Sequence, residues 1–169
     1  MFETIFKTEL INIKTDKFLM DNLWKEILYH YTAPNRHYHN LTHLDNLINE
    51  LSIIRHKIDD WQTIVFSVAY HDVIYNVFKS DSEERSAEFA VQRLTLIKVP
   101  EDKKIKCRAQ ILQTRGHNIS SDSDTNYFTD ADLAILGSEY SLYKQYAHQI
   151  RNEYKLYPDL LYNSGRKKF

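Results

Sequence analysis

His71 and Asp72 stand side by side in the otherwise apolar segment SVAYHDVIYNV, residues 67–77. Burying an imidazole and a carboxylate among apolar side chains costs free energy unless each group has a partner. A metal ion is one such partner, because imidazole nitrogen and carboxylate oxygen together suit Mn, Fe, Co, Ni or Zn, and Mg where oxygens dominate. Adjacent helical residues point about 100° apart, so both side chains could converge on one ion. The pair therefore predicts part of a metal site.

Two further polar residues interrupt apolar helical patterns in the same way. His43 lies in NLTHLDNLI, and Asp132 lies in DADLAILG. The segment TDADLA also offers Asp130 as an alternative to Asp132. Local spacing does not show that four residues on three helices meet, so the complete ligand set stays open on these patterns alone.

The elements that must position these residues are helices. The chain has only 3 Gly and 3 Pro among 169 residues, which leaves few places for the tight turns that strands need. Apolar residues recur at helical spacing in FLMDNLWKEILYHY, LTHLDNLINELSII and WQTIVFSVAYHDVIY. We therefore expect an all-α fold, a compact bundle of about seven to eight helices with no significant sheet.

Capping residues and turn-formers predict where some helices begin and end. Asp59 or Asp60 can cap the helix that carries the His-Asp pair, and Pro100 is well placed as the first residue of another helix. The polar stretch RGHNISSDSDTNYF predicts the main loop and the most mobile element. After it, TDADLAILG predicts a short helix that Gly137 closes.

Composition limits the class of protein. A chain of 169 residues with 43% hydrophobic residues can form one globular domain, here residues 1–169. A formal net charge of -1 argues against binding nucleic acid or a membrane surface by bulk charge. No run of about 20 apolar residues predicts a membrane span. The single Cys107 cannot form an internal disulfide, so we expect a reducing compartment and a cytoplasmic protein.

The order of these polar residues resembles that of a known family. His43, the adjacent pair and Asp132 resemble the H…HD…D signature of the HD-domain metal-dependent phosphohydrolases. The segments RHYHNLTHL, AYHDVIYN, SEERSA, ILQTRGH, DADLAILG and YKQYAHQIRNEY also resemble successive motifs of one bacterial subfamily of predicted HD-superfamily hydrolases. The resemblance covers residues 36–154 well and the first 30 residues poorly. It implies a helical bundle of the HD-domain type.

The resemblance also implies a ligand set for one divalent metal ion. The residues that match the ligand positions of the family are His43, His71, Asp72 and Asp132. Asp132 is favoured over Asp130 because it aligns with the aspartate of the family's A-D-x-L core. Asp130 would then cap the N-terminus of the same short helix.

Basic residues near these segments are candidates for binding a substrate. If the helix that carries His43 begins early, His39 and Arg36 lie four and seven residues before it on one face. Arg36 is the best phosphate-binding candidate, because a planar guanidinium can hold two oxygens, although it could equally be a surface arginine at a helix start. Lys79 and Arg115 are further candidates at loop edges.

His117 and Glu83 are candidate catalytic residues beside Asp72. His117 could act as a general acid or support the site, bind a second metal, or simply be a histidine favoured by a helix C-terminus. Glu83 and Glu84 match an acidic position of the family that orients water or a ligand histidine. They could also be acids favoured in the first turn of a helix by the macrodipole.

The resemblance implies a metal-dependent phosphohydrolase that acts on a nucleotide or another small phosphoester through metal-activated water. Two alternatives stay open: a non-catalytic HD-fold module that binds a nucleotide or a partner, and a dinuclear iron oxygenase. The oxygenase would need more histidines than His117 between the pair and the last aspartate. The tyrosines at 140, 143, 146, 154 and 157 follow helix spacing and favour a core or a homodimer face over base stacking.

Overall fold

Helices make up the secondary structure of residues 1–166, the part of the chain that this computed structural model describes, and that part contains no strand. The predicted all-α class is confirmed. The α-helices, nine within residues 1–166, are α1 (Phe2–Asn12), α2 (Lys17–Tyr31), α3 (Leu41–Ile53), α4 (Trp61–Tyr70), α5 (Ser82–Leu96), α6 (Glu101–Gln113), α7 (Ser123–Asp132), α8 (Tyr140–Glu153) and α9 (Asp159–Arg166). Residues 167–169 of the predicted domain lie outside the described part.

Polar side chains set the start of several helices. Asp16, Asn40, Asp60 and Asp122 each accept a hydrogen bond from a backbone N–H in the first turn of α2, α3, α4 and α7, respectively. These bonds satisfy N–H groups that have no partner within the helix. Of the two caps predicted for α4, Asp59 and Asp60, the structure uses Asp60.

Helix α4 forms the centre of the core. Residues 63–70 are all buried, and α4 packs against α1, α3, α5, α6 and α7. Phe6 of α1 meets Phe66 and Tyr70 of α4 edge to face, with ring centroids 6.2 Å apart in each pair. The C-terminal end of α4, where the His-Asp pair follows, is therefore held in place by core packing. Within residues 1–166, no helix combines the length and apolar character needed to cross a membrane.

The His-Asp pair does not lie inside a helix, which corrects the sequence prediction. His71 is the C-cap residue of α4, and Asp72 lies in the turn that follows. The helix ends here because side chains take the backbone groups that would continue it. Arg36 donates to the carbonyl oxygens of residues 72 and 73, and the Ser86 hydroxyl bonds both the N–H and the carbonyl of residue 74.

The predicted main loop is shorter than the sequence suggested. Residues 123–128, the last six of the predicted loop, belong to α7. This helix is stabilised by the Asp122 cap and by the buried carboxylate of Asp124, which accepts the N–H groups of residues 59 and 60 and pairs with Lys106. Asp130 is consequently an exposed residue near the end of α7 and not an N-terminal cap. Gly137 closes a separate 3-10 turn, Ala134–Gly137.

Candidate metal site

His43, His71 and Asp132 form a group whose ligand atoms all lie within 4.8 Å of one another. The Nε2 atom of His43 is 3.1 Å from Nε2 of His71 and 3.2 Å from Oδ1 of Asp132. The Nε2 atom of His71 is 3.7 Å from the same carboxylate oxygen. Metal–ligand bonds of about 2 Å place neighbouring ligand atoms about 3 Å apart, so one ion could bind all three side chains.

Three helix ends bring these residues together. His43 lies in the first turn of α3, His71 caps the C-terminus of α4, and Asp132 is the last residue of α7. Helix α3 packs against both α4 and α7, so the three helix ends lie close together. Asp130, the alternative last ligand, is exposed on α7 and does not belong to the group.

Asp72 lies at the edge of this group. Its Oδ2 atom is 3.1 Å from Nε2 of His71 and 3.9 Å from Nε2 of His43. The side chain of Asp72 is 19% exposed and that of Asp132 is 14% exposed, whereas the two histidines are 3% exposed or less. The histidines thus form a buried floor, and the carboxylates form a side that solvent can reach. A ligand role for Asp72 stays a prediction.

The donor set fits a divalent first-row metal. The Nδ1 atom of His71 lies 3.1 Å from the carbonyl oxygen of Val68, so an N–H there would leave the Nε2 lone pair free for an ion. Two imidazole nitrogens 3.1 Å apart need either a shared proton or a shared cation between them. Nitrogen and carboxylate donors together suit Mn, Fe, Co, Ni or Zn.

The charges of the group favour a cation at its centre. Burial lowers the pKa of His43. Burial also acts to lower the pKa of His71, but the carboxylates of Asp72 and Asp132 outweigh it and raise that pKa to about 9. Burial opposes ionisation of both aspartates, yet the neighbouring histidines hold the pKa of each below its usual range. Both carboxylates are therefore anionic near neutral pH, and a proton on His71 competes with a metal ion for Nε2.

His117 contacts the Oδ2 atom of Asp132. Its Nε2 atom is 3.1 Å from Oδ2, whereas Oδ1 of the same carboxylate faces His43. The backbone of His117 has a φ of 47°, in the left-handed region that a residue with a side chain rarely adopts. This contact favours the prediction that His117 supports the site by orienting Asp132.

Glu153 is a site residue that the sequence patterns did not single out. Its side chain is fully buried, and Oε1 accepts the backbone N–H groups of residues 37, 38 and 39 at 2.8–3.0 Å. Its Oε2 atom lies 2.7 Å from Nδ1 of His39 and accepts the hydroxyl of Tyr75 at 2.9 Å. The Nε2 atom of His39 is then 3.8 Å from Oδ2 of Asp72. Glu153 thus fixes a histidine beside the solvent-facing carboxylate.

The Glu153–His39 pair is ionic in character. Burial acts against the charge on Glu153, but the hydrogen bonds from His39 and from the backbone lower the pKa of Glu153 to about 2. Burial likewise opposes the charge on His39, and the carboxylates of Asp72 and Glu153 raise its pKa. The segment YKQYAHQIRNEY contains Glu153 and was part of the family resemblance. In the sequence, Glu153 resembles an ordinary surface acid. It differs from one because its carboxylate is buried in the fold.

Arg36 binds the backbone around the site. Its Nη1 donates to the carbonyl oxygens of His39 and Asp72, and its Nη2 donates to that of residue 73. The guanidinium lies 5.0 Å from the ring centre of Tyr31 and 5.1 Å from that of Tyr75. These contacts indicate that Arg36 positions the turn that carries Asp72. Its predicted role in binding a substrate phosphate stays a prediction.

Arg36 and His39 do not share a helix face with His43, which corrects another expectation. Helix α3 begins at Leu41, and residues 36–40 precede it as a loop. The loop is stabilised because Glu153 binds three of its N–H groups, while the Asn40 side chain caps α3.

The remaining candidates have no contact with the group. Lys79 and Arg115 are exposed, and Arg115 pairs with Glu84. Neither Lys79 nor Glu83 forms a side-chain hydrogen bond or ion pair with residues 1–163. The substrate-binding role of Lys79 and Arg115 and the catalytic role of Glu83 stay predictions that the geometry does not support.

No family model, curated protein or solved structure matches this chain. The similarity to the HD-domain phosphohydrolases stays a resemblance carried by the sequence motifs. The function must therefore be inferred from the geometry of the site.

Proposed function

We propose that the protein is a metal-dependent phosphohydrolase that acts on a nucleotide or another small phosphoester. The observation that carries this proposal is the convergence of His43, His71 and Asp132, with Asp72 on the solvent side. Structural metal sites are normally closed by protein ligands, whereas catalytic sites keep a coordination position open. Two buried imidazoles opposite two partly exposed carboxylates support an open, catalytic site over a metal that only joins helices.

A bound divalent ion would supply an activated water and a Lewis acid for a phosphoryl oxygen. The chain would supply orientation and proton contacts around it. Asp72 is anionic and partly exposed, so its carboxylate can accept a hydrogen bond from a water that enters from solvent. His39, held at Nδ1 by Glu153, keeps Nε2 available on the same side to donate to a substrate oxygen. His117 orients Asp132 through its contact with the Oδ2 atom.

The test combines metal analysis with a search for a substrate. The protein would be purified without chelators, its metals measured by elemental analysis, and phosphate release followed from nucleotides and other phosphoesters with added Mn, Co, Ni, Mg or Zn. We expect one metal ion per chain and release that is lost in His71→Ala and Asp132→Asn. The matched control is His148→Ala, an exposed histidine on α8.

Two results would contradict the proposal in different ways. Bound metal without any phosphate release would indicate that the protein is a non-catalytic module that binds metal. Absence of metal, together with activity that does not respond to the two variants, would rule out the site itself. Circular dichroism of each variant separates loss of a ligand from loss of the fold.

A further inference from the structure

A second concave region lies beside the turn that carries Asp72, and we propose that it binds a small anionic ligand with a phosphoryl or carboxylate group. The cavity has a volume of about 480 Å³ and lies between the loop of residues 32–36, the segment 73–76 and Arg85 of α5. This volume is in the usual range for small-molecule sites. None of the candidate metal ligands lines it. The proposal therefore does not depend on the candidate metal site.

The charge of the lining favours an anion. Arg36 and Arg85 line the cavity, and no aspartate or glutamate does. Burial lowers the pKa of His30, the third basic residue of the lining, so the charge comes from the two arginines. The side chain of Arg85 is exposed and forms no hydrogen bond or ion pair with residues 1–163, so its guanidinium is free to meet a ligand in the cavity. A concave surface with charges of one sign concentrates its field and attracts counter-ions. The positive charge of Arg85 thus lacks a protein partner at the place where a ligand could supply one.

The lining offers several hydrogen-bond donors. Arg36 is nine-tenths buried and uses both Nη atoms on backbone carbonyls, which leaves its Nε–H without a partner among residues 1–163. The Oδ1 atom of Asn76 accepts the N–H of Phe78, so its Nδ2 group remains as a donor. Asn35 adds a second side-chain amide. Donors from arginine and amide groups match the oxygens of a phosphoryl or carboxylate group.

The cavity also offers ring surfaces beside these donors. Tyr29 and His30 form part of the wall, with their rings edge to face at 5.4 Å. The side chain of Tyr29 is 78% exposed, so a planar group of a ligand can pack against it. A nucleoside monophosphate is therefore a suitable probe, and its uncharged nucleoside is the matched control.

The test measures anion binding to the full-length protein in EDTA, so that no metal ion can hold the probe. We expect inorganic phosphate, citrate or AMP to shift the side-chain amide signals of Asn35 and Asn76 in 1H–15N NMR spectra, and adenosine to leave them unchanged. A comparison of phosphate with citrate shows whether the cavity binds a phosphoryl group or a carboxylate group. Arg85→Gln should weaken binding of the active probe about tenfold, as the loss of a charge-assisted hydrogen bond does. Arg108→Gln, an exposed arginine outside the cavity, should bind as the wild type does.

His71→Ala separates this site from the candidate metal site, because we expect the variant to bind the anion unchanged. Arg36 is left intact in these experiments since it also positions the Asp72 turn. If none of the three anions shifts the two amide signals, or if Arg85→Gln binds as tightly as Arg108→Gln, the cavity is not an anion site. Binding that is lost in His71→Ala but kept in Arg85→Gln would place the anion at the metal group and overturn the proposal.

Discussion

At the scale of single residues, Glu153 connects parts of the chain that are far apart. It accepts hydrogen bonds from the backbone of residues 37–39, from the ring of His39 and from the hydroxyl of Tyr75. Because the carboxylate is buried, these donors compensate for the hydration that it loses on folding. The side chain thereby determines where His39 lies relative to Asp72.

Glu153→Gln should destabilise the protein by about 2–4 kcal/mol, because an amide NH2 would replace an oxygen that faces N–H and O–H donors. Urea unfolding followed by circular dichroism measures this change. Glu88→Gln, an exposed acid on α5 without a contact to the site, is the matched control and should stay within about 0.5 kcal/mol of the wild type. A loss of similar size in both variants would contradict the assigned role.

The lowered pKa of Glu153 predicts that the stability of the protein depends on pH in the acid range. The pKa of Glu153 falls from its ordinary value of 4.5 to about 2 on folding. The stabilisation from this shift is complete above pH 4.5 and is lost as the pH falls toward 2. We expect the difference in unfolding free energy between the wild type and Glu153→Gln to shrink across this window. Parallel losses in the two proteins between these pH values would show that Glu153 is not the titrating group.

At the scale of secondary structure, the site depends on how three helix ends are held. Helix α7 carries Asp132 at its C-terminus and is fixed at its N-terminus by Asp124, whose buried carboxylate binds the N–H groups before α4 and the ammonium of Lys106. One aspartate therefore joins α4, α6 and α7. This junction therefore helps to determine the position of Asp132, the candidate metal ligand at the other end of α7.

Asp124→Asn should lower the free energy of unfolding by about 2–4 kcal/mol, because the amide can accept fewer hydrogen bonds and leaves Lys106 with only Asp122 as an ionic partner. Asp130→Asn tests the same change at an exposed position on the same helix and should have little effect. Thermal and urea unfolding of both variants measure the difference. If the two variants unfold alike, the junction does not stabilise α7.

At the scale of the whole molecule, metal binding and folding should be coupled. The cluster of His43, His71 and Asp132 forms only when α3, α4 and α7 meet, so an ion bound there stabilises the folded chain. Without metal, the neighbouring carboxylates favour a proton on His71 and raise its pKa to about 9. Metal and proton therefore compete for the same nitrogen.

The stabilisation by added Mn or Co should increase between pH 6.5 and 9. In EDTA, the contribution of the raised His71 pKa is present below its ordinary value of 6.5 and is lost as the pH rises through about 9. The metal-bound protein should keep its stability there, because the ion has displaced the proton. Melting temperatures with EDTA and with metal measure this difference, and His71→Ala should show none. A metal effect that is equal at both ends of the range would exclude competition at His71.

Much of this protein could be predicted from local sequence features. The scarcity of Gly and Pro, the helical spacing of apolar residues and the Asp60 cap indicated an all-α fold, because each acts within a few residues of the chain. The resemblance to the HD-domain signature also selected His43, His71, Asp72 and Asp132, and the fold brings the two histidines and Asp132 into one group. Whether they bind a metal ion stays a prediction.

Only the tertiary structure decided how the residues around this group are used. Helix α4 ends before Asp72 because Arg36, 36 residues earlier, takes the carbonyl of that residue. The loop before α3 forms because Glu153, 114–116 residues later in the chain, binds three of its N–H groups. Sequence patterns describe the period of a helix and its caps, both of which depend on near neighbours. The burial of a carboxylate and the direction of a guanidinium depend on which distant segments pack against them, so the chain had to fold before either could be assigned.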